Sequence, residues 1–296
     1  MEKEVKKVTL KRVMSEKDAK GLKKSFADDS LWNTLITEDC DGYAEDTGEL
    51  LFKFRKGVIP LETLKEGVKA FEGSIQTTDG RGAASGSTHK RIRKDGSVSN
   101  ISVGNKVRSG NVGYMDPSAM VRYCRKTAFA RDYFEKFKQG IPFVEFISKK
   151  YSELAPDKFA KQQEAANKAD DYYIIGDSAF STVTVNENFR TAIHQDAGDF
   201  REGFGNLIVY REGSYKGGYF TLPEYGVALD LHSTDLLFVD VHKFHGNTEI
   251  TEKSEDWRRI SFVMYLREKI TTCERPDIEL KKVKTQRTGL SFFTPK

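Results

Sequence analysis

Residues 182–199 read TVTVNENFRTAIHQDAGD and join a strand pattern to a pair of chemically active side chains. Apolar and polar residues alternate at the start, which predicts a β-strand over Thr182 to Asn186. His194 and Asp196 then follow two residues apart. At the end of an extended strand, side chains with this spacing lie on one face. They could bind one metal ion, although a strand-end His or Asp more often caps a turn.

A second imidazole follows 49 residues after Asp196, at His245, between the apolar run Leu236 to Val241 and Gly246. Two imidazoles and one carboxylate on a β scaffold form the facial triad typical of non-haem Fe(II) sites. Such a triad leaves coordination positions open for other ligands. His242 is a rival for the distal position because it lies in the same short segment.

Residues 258–265, RRISFVMY, begin an apolar strand with an arginine at position 259, 14 residues after His245. An arginine side chain offers a rigid two-pronged donor that matches a carboxylate, such as the far carboxylate of 2-oxoglutarate. Ser261 lies two residues further on and faces the same side of a strand. We predict that Arg259 and Ser261 anchor this co-substrate. Arg259 alone would more often be a surface residue paired with an acid.

The order HxD, then His followed by Gly, then RxS before an apolar strand resembles the double-stranded β-helix Fe(II)/2-oxoglutarate dioxygenases. More narrowly, three segments resemble the ten-eleven-translocation and base-J-binding-protein group, which oxidises the 5-methyl group of pyrimidines in nucleic acid. These segments are residues 182–199, residues 217–231 (GGYFTLPEYGVALDL) and residues 245–248 (HGNT). The resemblance extends over roughly residues 113–268 and leaves out the first hundred residues.

The fold that this resemblance implies is α+β, with a double-stranded β-helix (jelly-roll) core, an N-terminal α/β elaboration, and helices packed on the major sheet. Short apolar runs separated by Gly, Asn, Asp and Pro after Tyr172 predict the same double-sheet barrel. We divide the chain into an N-terminal elaboration (residues 1–112), a dioxygenase core (113–270) and a basic C-terminal extension (271–296).

The resemblance also implies Fe(II) as the metal and 2-oxoglutarate as the co-substrate, with succinate and CO2 as co-products. It favours His245 over His242, because the family pattern places Gly after the metal ligand. Asn186 and Arg190 precede His194 in the same strand region. We expect them to face the co-substrate or a phosphate.

Asp199, three residues after Asp196, falls where related enzymes contact the target base. A carboxylate accepts a hydrogen bond from the N4 amino group of cytosine, whereas thymine presents the acceptor O4 there. We therefore expect the substrate to be a 5-methylpyrimidine in nucleic acid, with DNA favoured over RNA and 5-methylcytosine favoured over thymine. A turn-forming aspartate at position 199 is equally compatible with the sequence.

Positive charge is concentrated in residues 73–110, although the whole chain nets only +4. This segment carries seven Lys or Arg against two Asp, a net charge of +5, among many Gly, Ser and Thr. It shows no sustained period, which predicts a long loop or a loosely paired hairpin. We predict that it contacts the phosphate backbone through Lys90, Arg91, Arg93 and Lys94. The basic stretch Lys281 to Lys296 is a weaker competitor.

Several classes of protein are excluded by composition. No apolar run reaches the roughly 18 residues of a membrane span, and Met1 to Leu10 is not a secretory signal. Cys40, Cys124 and Cys273 are odd in number and widely spaced, which predicts a reducing compartment and no disulfide or zinc framework. We expect an intracellular protein, cytoplasmic in a prokaryotic or viral setting and nuclear in a eukaryote, and predict no protein partner.

Local signals also predict helices. Ser15 with Asp18 forms a capping pattern, and Pro60 precedes apolar residues at helical spacing. Gly140 is predicted to end a helix and Pro142 to begin the next.

Two rival functions remain compatible with the residues. A hydroxylase of a protein side chain or small metabolite would use the same metal chemistry, because a fold does not fix a substrate. A catalytically inactive nucleic-acid-binding module would need neither the triad nor Arg259, whose presence disfavours that alternative.

Overall fold

The computed structural model describes residues 5–86, 89–118 and 120–290, and gives no side-chain detail for residues 89–91, 100–103 and 287–290. The helices are α1 (Glu16–Gly21), α2 (Leu61–Phe71), α3 (Ala128–Asp132), α4 (Phe134–Leu154), α5 (Pro156–Ala166) and α6 (Pro276–Leu290). The strands are β1 (Lys6–Leu10), β2 (Thr34–Ile36), β3 (Cys40–Ala44), β4 (Leu50–Arg55), β5 (Gln76–Thr78), β6 (His89–Ile92), β7 (Val98–Val103), β8 (Val107–Met115), β9 (Arg125–Lys126), β10 (Thr182–Glu187), β11 (Gly205–Glu212), β12 (Lys216–Gly217), β13 (Phe220–Leu222), β14 (Val227–Leu229), β15 (Leu236–Val239), β16 (Gly246–Asn247), β17 (Ile250–Thr251) and β18 (Arg258–Tyr265).

Two sheets form the framework of the described chain. The major sheet has the order β1-β3-β4-β15-β11-β18-β10-β8-β5, with β9 paired to β8, and the minor sheet has the order β16-β13-β14-β2. Their facing apolar side chains share one core, in which Leu207 and Val209 of the major sheet meet Leu222 and Val227 of the minor sheet. The α+β fold with a jelly-roll core is thereby confirmed. The division at residues 112 and 270 stays a prediction.

Alternation along the central strands decides which side chains enter the space between the sheets. In β18, Ile260, Phe262 and Met264 point to the helices. Ser261 and Val263 point the other way, into a cavity. The strand β10 follows the same rule, with Val183 and Val185 under the helices and Thr184 and Asn186 in the cavity. The period of two therefore delivers polar groups to an otherwise apolar interior.

The helices α2 and α4 pack closely on the outer face of the major sheet through two glycines. A Cβ atom at Gly67 would lie 2.3 Å from the ring of Phe143, and one at Gly140 would lie 2.2 Å from the ring of Phe71. The prediction that Gly140 ends a helix is wrong, because α4 continues through it and through Pro142. This glycine is required by close packing rather than by a helix end.

The capping predictions are confirmed: Ser15 caps α1 by accepting from the Asp18 amide, and α2 begins directly after Pro60. Residues 73–110 contain β5, the start of β8, and between them β6 and β7, which pair as the predicted hairpin alternative. No helix in the described part of the chain is long and apolar enough to cross a membrane.

The prediction that the cysteines form no disulfide is wrong. Cys124 and Cys273 are bonded, although 149 residues separate them in the chain. The segment before β9 is joined to α6, since the Cys124 amide donates to Glu279 (2.8 Å) and the Arg122 amide donates to Gln286 (3.0 Å). Spacing along the sequence carried no sign of this tertiary contact, and the argument for a reducing compartment loses its basis.

Replacing Gly140 by Ala tests the packing of α2 on α4. Alanine gains about 1 kcal/mol of helix propensity, but its methyl group overlaps the Phe71 ring, and overpacking costs about 1–3 kcal/mol. We expect the free energy of unfolding, measured by urea denaturation, to fall by about 1 kcal/mol. Gly21→Ala is the control, because a Cβ atom at Gly21 meets nothing within 4 Å. A Gly140→Ala variant as stable as the parent would contradict this account.

Candidate active site

The three predicted metal ligands meet at one point beside the open end of the two sheets. His194 and His245 form an isolated antiparallel bridge, in which each backbone amide donates to the other's carbonyl oxygen at 2.9 Å. The amide of Asp196 donates to the Val241 carbonyl (3.0 Å) and brings its carboxylate to the same place. The candidate ligand atoms lie within 4.8 Å of one another.

Each histidine presents one defined nitrogen to the centre. Nδ1 of His194 lies 2.7 Å from the Ala192 carbonyl oxygen, and Nδ1 of His245 lies 2.9 Å from that of Lys243. The carbonyls accept the Nδ1 protons, so the Nε2 lone pairs remain for a metal, as in most protein metal sites. The two Nε2 atoms lie 3.6 Å and 3.5 Å from the oxygens of Asp196. This donor set fits Fe(II).

Two members of the triad, His194 and Asp196, have pKa values shifted toward the forms that bind metal. Burial, aided by the neighbouring His245, lowers the pKa of His194 to about 4, so its ring is neutral at pH 7. Burial opposes the charge of Asp196, but the His194 ring, the His245 ring that hydrogen-bonds to it and the Arg81 guanidinium together outweigh burial and hold the pKa of this carboxyl below its ordinary value.

The rival His242 points away from this centre. Its Nδ1 lies 3.3 Å from Oδ1 of Asp240, and its Nε2 lies 3.1 Å from the carbonyl oxygen of Asp199. Neither ring nitrogen is left for a metal, and His242 does not line the cavity that holds the triad. The geometry therefore favours His245 as the distal ligand.

A cavity of about 430 Å³ extends from the triad between the sheets, and Arg259 and Ser261 line its inner end. The Arg259 side chain is buried, and burial lowers its pKa. Among the described residues no carboxylate forms an ion pair with it, and the neighbouring Asp230 is engaged by Arg211 (3.2 Å). A buried cation without a counter-charge is costly, so the carboxylate of a ligand such as 2-oxoglutarate fits this end of the cavity.

The other two residues expected near the co-substrate differ in placement. Asn186 lines the cavity, accepts from Ser109 (2.6 Å) and donates to Ser261 (3.4 Å). Arg190 does not line it, since its guanidinium binds Glu249 (3.1 Å) and the Ala27 carbonyl (2.6 Å). The structure thus brings Asn186, but not Arg190, to the site.

The opposite end of the cavity is polar. Asp199 lies there with Arg267, whose Nε donates to Asp116. Burial raises the pKa of Asp199 well above its ordinary value, and the nearby Asp196 carboxylate raises it further. Arg81 also lines this end and donates to Asn111 (2.8 Å).

Sequence reasoning missed Arg81 and Arg267 as cavity residues. The signal for Arg267 was present, because it continues the alternation of Arg259, Ser261, Val263 and Tyr265, all of which line the cavity. Arg81 lies in the basic segment, but nothing in the sequence indicated that residues 80–84 fold over the cavity.

The predicted backbone contacts lie on the β6–β7 hairpin, which follows residues 80–84. Arg93 and Lys94 are exposed at its turn, where Arg93 donates to Ser97 (3.2 Å). Lys90 and Arg91 belong to β6, but their side chains lie outside the described residues.

Comparison with known proteins matches residues 112–268 to the Tet_JBP family, the oxygenase domain of the 2OGFeDO superfamily. Thymine dioxygenase JBP1 of Trypanosoma brucei brucei is 40% identical over 194 residues, which cover 62% of this chain and 22% of the relative. The bifunctional helicase and thymine dioxygenase JBP2 of Trypanosoma cruzi is 39% identical over 162 residues, 54% of this chain and 14% of the relative. The chain thus spans about a fifth or less of the length of these curated relatives.

A solved structure, NgTET1 in complex with 5mC DNA, matches 92% of this chain and 100% of that chain with a TM-score of 0.56. Its sequence identity of 16% shows a shared fold alone.

Alanine substitutions should separate the metal end of the site from the co-substrate end. His194→Ala, Asp196→Ala and His245→Ala each remove one of three ligands, so we expect Fe(II) affinity, measured anaerobically by calorimetry, to fall at least about tenfold. Arg259→Ala should keep Fe(II) affinity within about twofold and weaken 2-oxoglutarate about a hundredfold, since a charge-assisted contact is lost. Ser261→Ala should have a smaller effect.

Each variant is the control for the others, because the two ends of the cavity are changed separately. An Arg259→Ala enzyme with the parent's affinity for 2-oxoglutarate would exclude Arg259 as the anchor. Retention of Fe(II) by His245→Ala together with its loss from His242→Ala would reverse the choice of distal ligand.

Proposed function

The chain belongs to the Tet_JBP family of 2-oxoglutarate- and Fe(II)-dependent oxygenase domains, and from this premise we propose that it hydroxylates the 5-methyl group of a modified pyrimidine in DNA. One observation carries the proposal most directly: the His194, Asp196 and His245 triad lines the same cavity as the buried Arg259, which forms no ion pair with a carboxylate in the described part of the chain. A binding module without catalysis needs neither the metal ligands nor a buried cation.

The proposed role of each cavity residue follows from its location. His194, Asp196 and His245 would hold Fe(II) from one side, and Arg259 with Ser261 would anchor the distal carboxylate of 2-oxoglutarate. With both bound, the centre would activate dioxygen: one oxygen atom would convert a methyl C–H bond to C–OH, and the other would enter succinate as 2-oxoglutarate loses CO2. The protein's contribution is to orient the bound groups and to exclude water.

The polar end of the cavity supports a flipped base as the substrate. A base inside a duplex has to leave the stack to reach an enclosed site. Asp199 offers a hydrogen-bond acceptor, and Arg267 offers a donor beside it. This pair matches the edge of a pyrimidine, which presents both donors and acceptors. Asp199 favours 5-methylcytosine, because it can accept from the N4 amino group.

Thymine is the second candidate. The relatives JBP1 and JBP2 are named thymine dioxygenases, and the Arg267 guanidinium is a donor suited to O4 of thymine. Asp199 would then accept from the N3–H group of thymine.

A DNA substrate also implies an intracellular location, without distinguishing cytoplasm from nucleus.

A hydroxylase of a protein side chain or small metabolite would share the metal end of the cavity. It would have no use for the paired acceptor and donor at Asp199 and Arg267, nor for the basic hairpin. It is distinguished by succinate release that depends on peptide or metabolite and not on DNA.

Mass spectrometry of nucleosides tests the proposal. We expect DNA containing 5-methylcytosine, incubated with the enzyme, Fe(II) and 2-oxoglutarate, to yield 5-hydroxymethylcytosine, and unmethylated DNA to yield 5-hydroxymethyluracil only if thymine is accepted. His245→Ala is the control without a complete triad. Absence of both products, with succinate released on peptides instead, would reject the proposal.

The β6–β7 hairpin is proposed as the contact to the phosphate backbone. Replacing Lys90, Arg91, Arg93 and Lys94 by Ala should weaken DNA binding for all sequences alike and reduce the salt slope by up to about four counterions. A matched control variant replaces four lysines on α4, on α5 or just after α5, namely Lys138, Lys149, Lys161 and Lys168. It removes the same amount of positive charge as the hairpin variant. If the hairpin variant keeps the parent's affinity and salt slope, the hairpin is not the backbone contact and the basic C-terminal stretch becomes the next candidate.

A further inference from the structure

The segment 195–199, which carries Asp196 and Asp199, is a thin partition between two cavities. Gln195 and Ala197 line the active-site cavity on one side. The same two residues line a second, polar cavity of about 410 Å³ on the other side, together with Asp240 and His242. A segment with open space on both sides gains little from packing, so hydrogen bonds have to fix its position.

Backbone bonds to the end of β18 hold one edge of the segment, where the Glu268 amide donates to Gly198 (2.9 Å) and the Phe200 amide donates to Leu266 (2.8 Å). The other bonds come from the turn at residues 240–242. The Asp196 amide donates to the Val241 carbonyl (3.0 Å), and Gln195 Nε2 donates to the His242 carbonyl (2.6 Å). At the far end of the partition, His242 Nε2 lies 3.1 Å from the carbonyl oxygen of Asp199, which can only accept, so the bond is formed by the tautomer that carries its proton on Nε2. This contact is the side-chain bond that ties the Asp199 end of the partition to the turn.

The His242 ring is itself fixed. Oδ1 of Asp240 accepts from the His242 backbone amide (3.0 Å) and lies 3.3 Å from the ring Nδ1. Two contacts from one carboxylate restrict both the turn and the ring orientation, so Nε2 is aimed at Asp199 before any substrate binds.

We propose that His242 is a positioning residue, which holds the Asp199 end of the partition so that Asp199 meets the substrate. The metal end depends less on it, because Asp196 has its own backbone bond to Val241 and the bridge between His194 and His245 is separate. The inference rests on the proposed function only where it names DNA as the substrate.

The chain supplies a matched control in its own sequence. Asp230 and His232 repeat the spacing of Asp240 and His242, and His232 Nε2 lies 3.1 Å from Asp230. This second histidine is 52% exposed and lines neither cavity. His232→Ala therefore removes an equivalent Asp–His pair without touching the partition.

The experiment compares His242→Ala, His242→Gln, which keeps an N–H donor, and His232→Ala. In His242→Ala we expect faster hydrogen–deuterium exchange of the amides in residues 196–200, and about tenfold lower kcat/KM on methylated DNA with less product per 2-oxoglutarate consumed. Anaerobic affinities for Fe(II) and 2-oxoglutarate should stay within about twofold of the parent. His242→Gln should recover most of the loss, and His232→Ala should match the parent.

The assignment would be overturned if His242→Ala left two quantities unchanged. These are the hydrogen–deuterium exchange of residues 196–200 and the amount of product formed per 2-oxoglutarate consumed. Equal losses in the Ala and Gln variants would also overturn it, because only the donor to Asp199 distinguishes them. If the parent hydroxylates no DNA, the proposed function fails, while the exchange measurement on the metal-free protein still decides the role of His242.

Discussion

The reciprocal backbone hydrogen bonds between His194 and His245 are the constraint on which the site depends. They join the end of the segment after β10 to the segment after β15, which otherwise belong to different parts of the barrel. Because the two residues are paired directly, their side chains emerge next to each other, with ring centroids 4.3 Å apart. Asp196 needs only one further backbone bond to complete the set. The metal end is thus built by main-chain pairing, which is more rigid than a cluster held by side chains alone.

The alternation of β18 could be read from the sequence, and it accounts for most of what was predicted correctly. It places Arg259 and Ser261 in the cavity and Phe262 under α4, where its ring meets that of Phe143 at 5.3 Å. Period and residue type are local properties, so strands, caps and the order of candidate ligands follow from the chain itself. Extending the same alternation by one step also reaches Arg267.

Tertiary neighbours could not be read in this way. Gly140 carries the local signature of a helix end, yet it is needed where the Phe71 ring crosses α4. Cys124 and Cys273 carry no spacing motif, yet the docking of α6 brings them together. Arg190 was expected at the cavity because it precedes His194, but its guanidinium turns to Glu249 and Ala27. In each case a contact between distant segments outweighs the local pattern.

The charges of the cavity explain why metal and co-substrate belong together. Three arginines (Arg81, Arg259 and Arg267) and two aspartates (Asp196 and Asp199) line it, with Asp116 engaging Arg267. Fe(II) and the 2-oxoglutarate dianion carry equal and opposite charges, so binding both leaves this balance unchanged. A dianion alone would satisfy Arg259 but would add to the repulsion that already raises the pKa of Asp199. A metal ion alone would satisfy Asp196 and leave Arg259 buried without a counter-charge, at a cost that only an anionic ligand removes. The charges at the triad and at Arg259 therefore favour binding of the metal and 2-oxoglutarate together, although no side chain of the triad contacts Arg259.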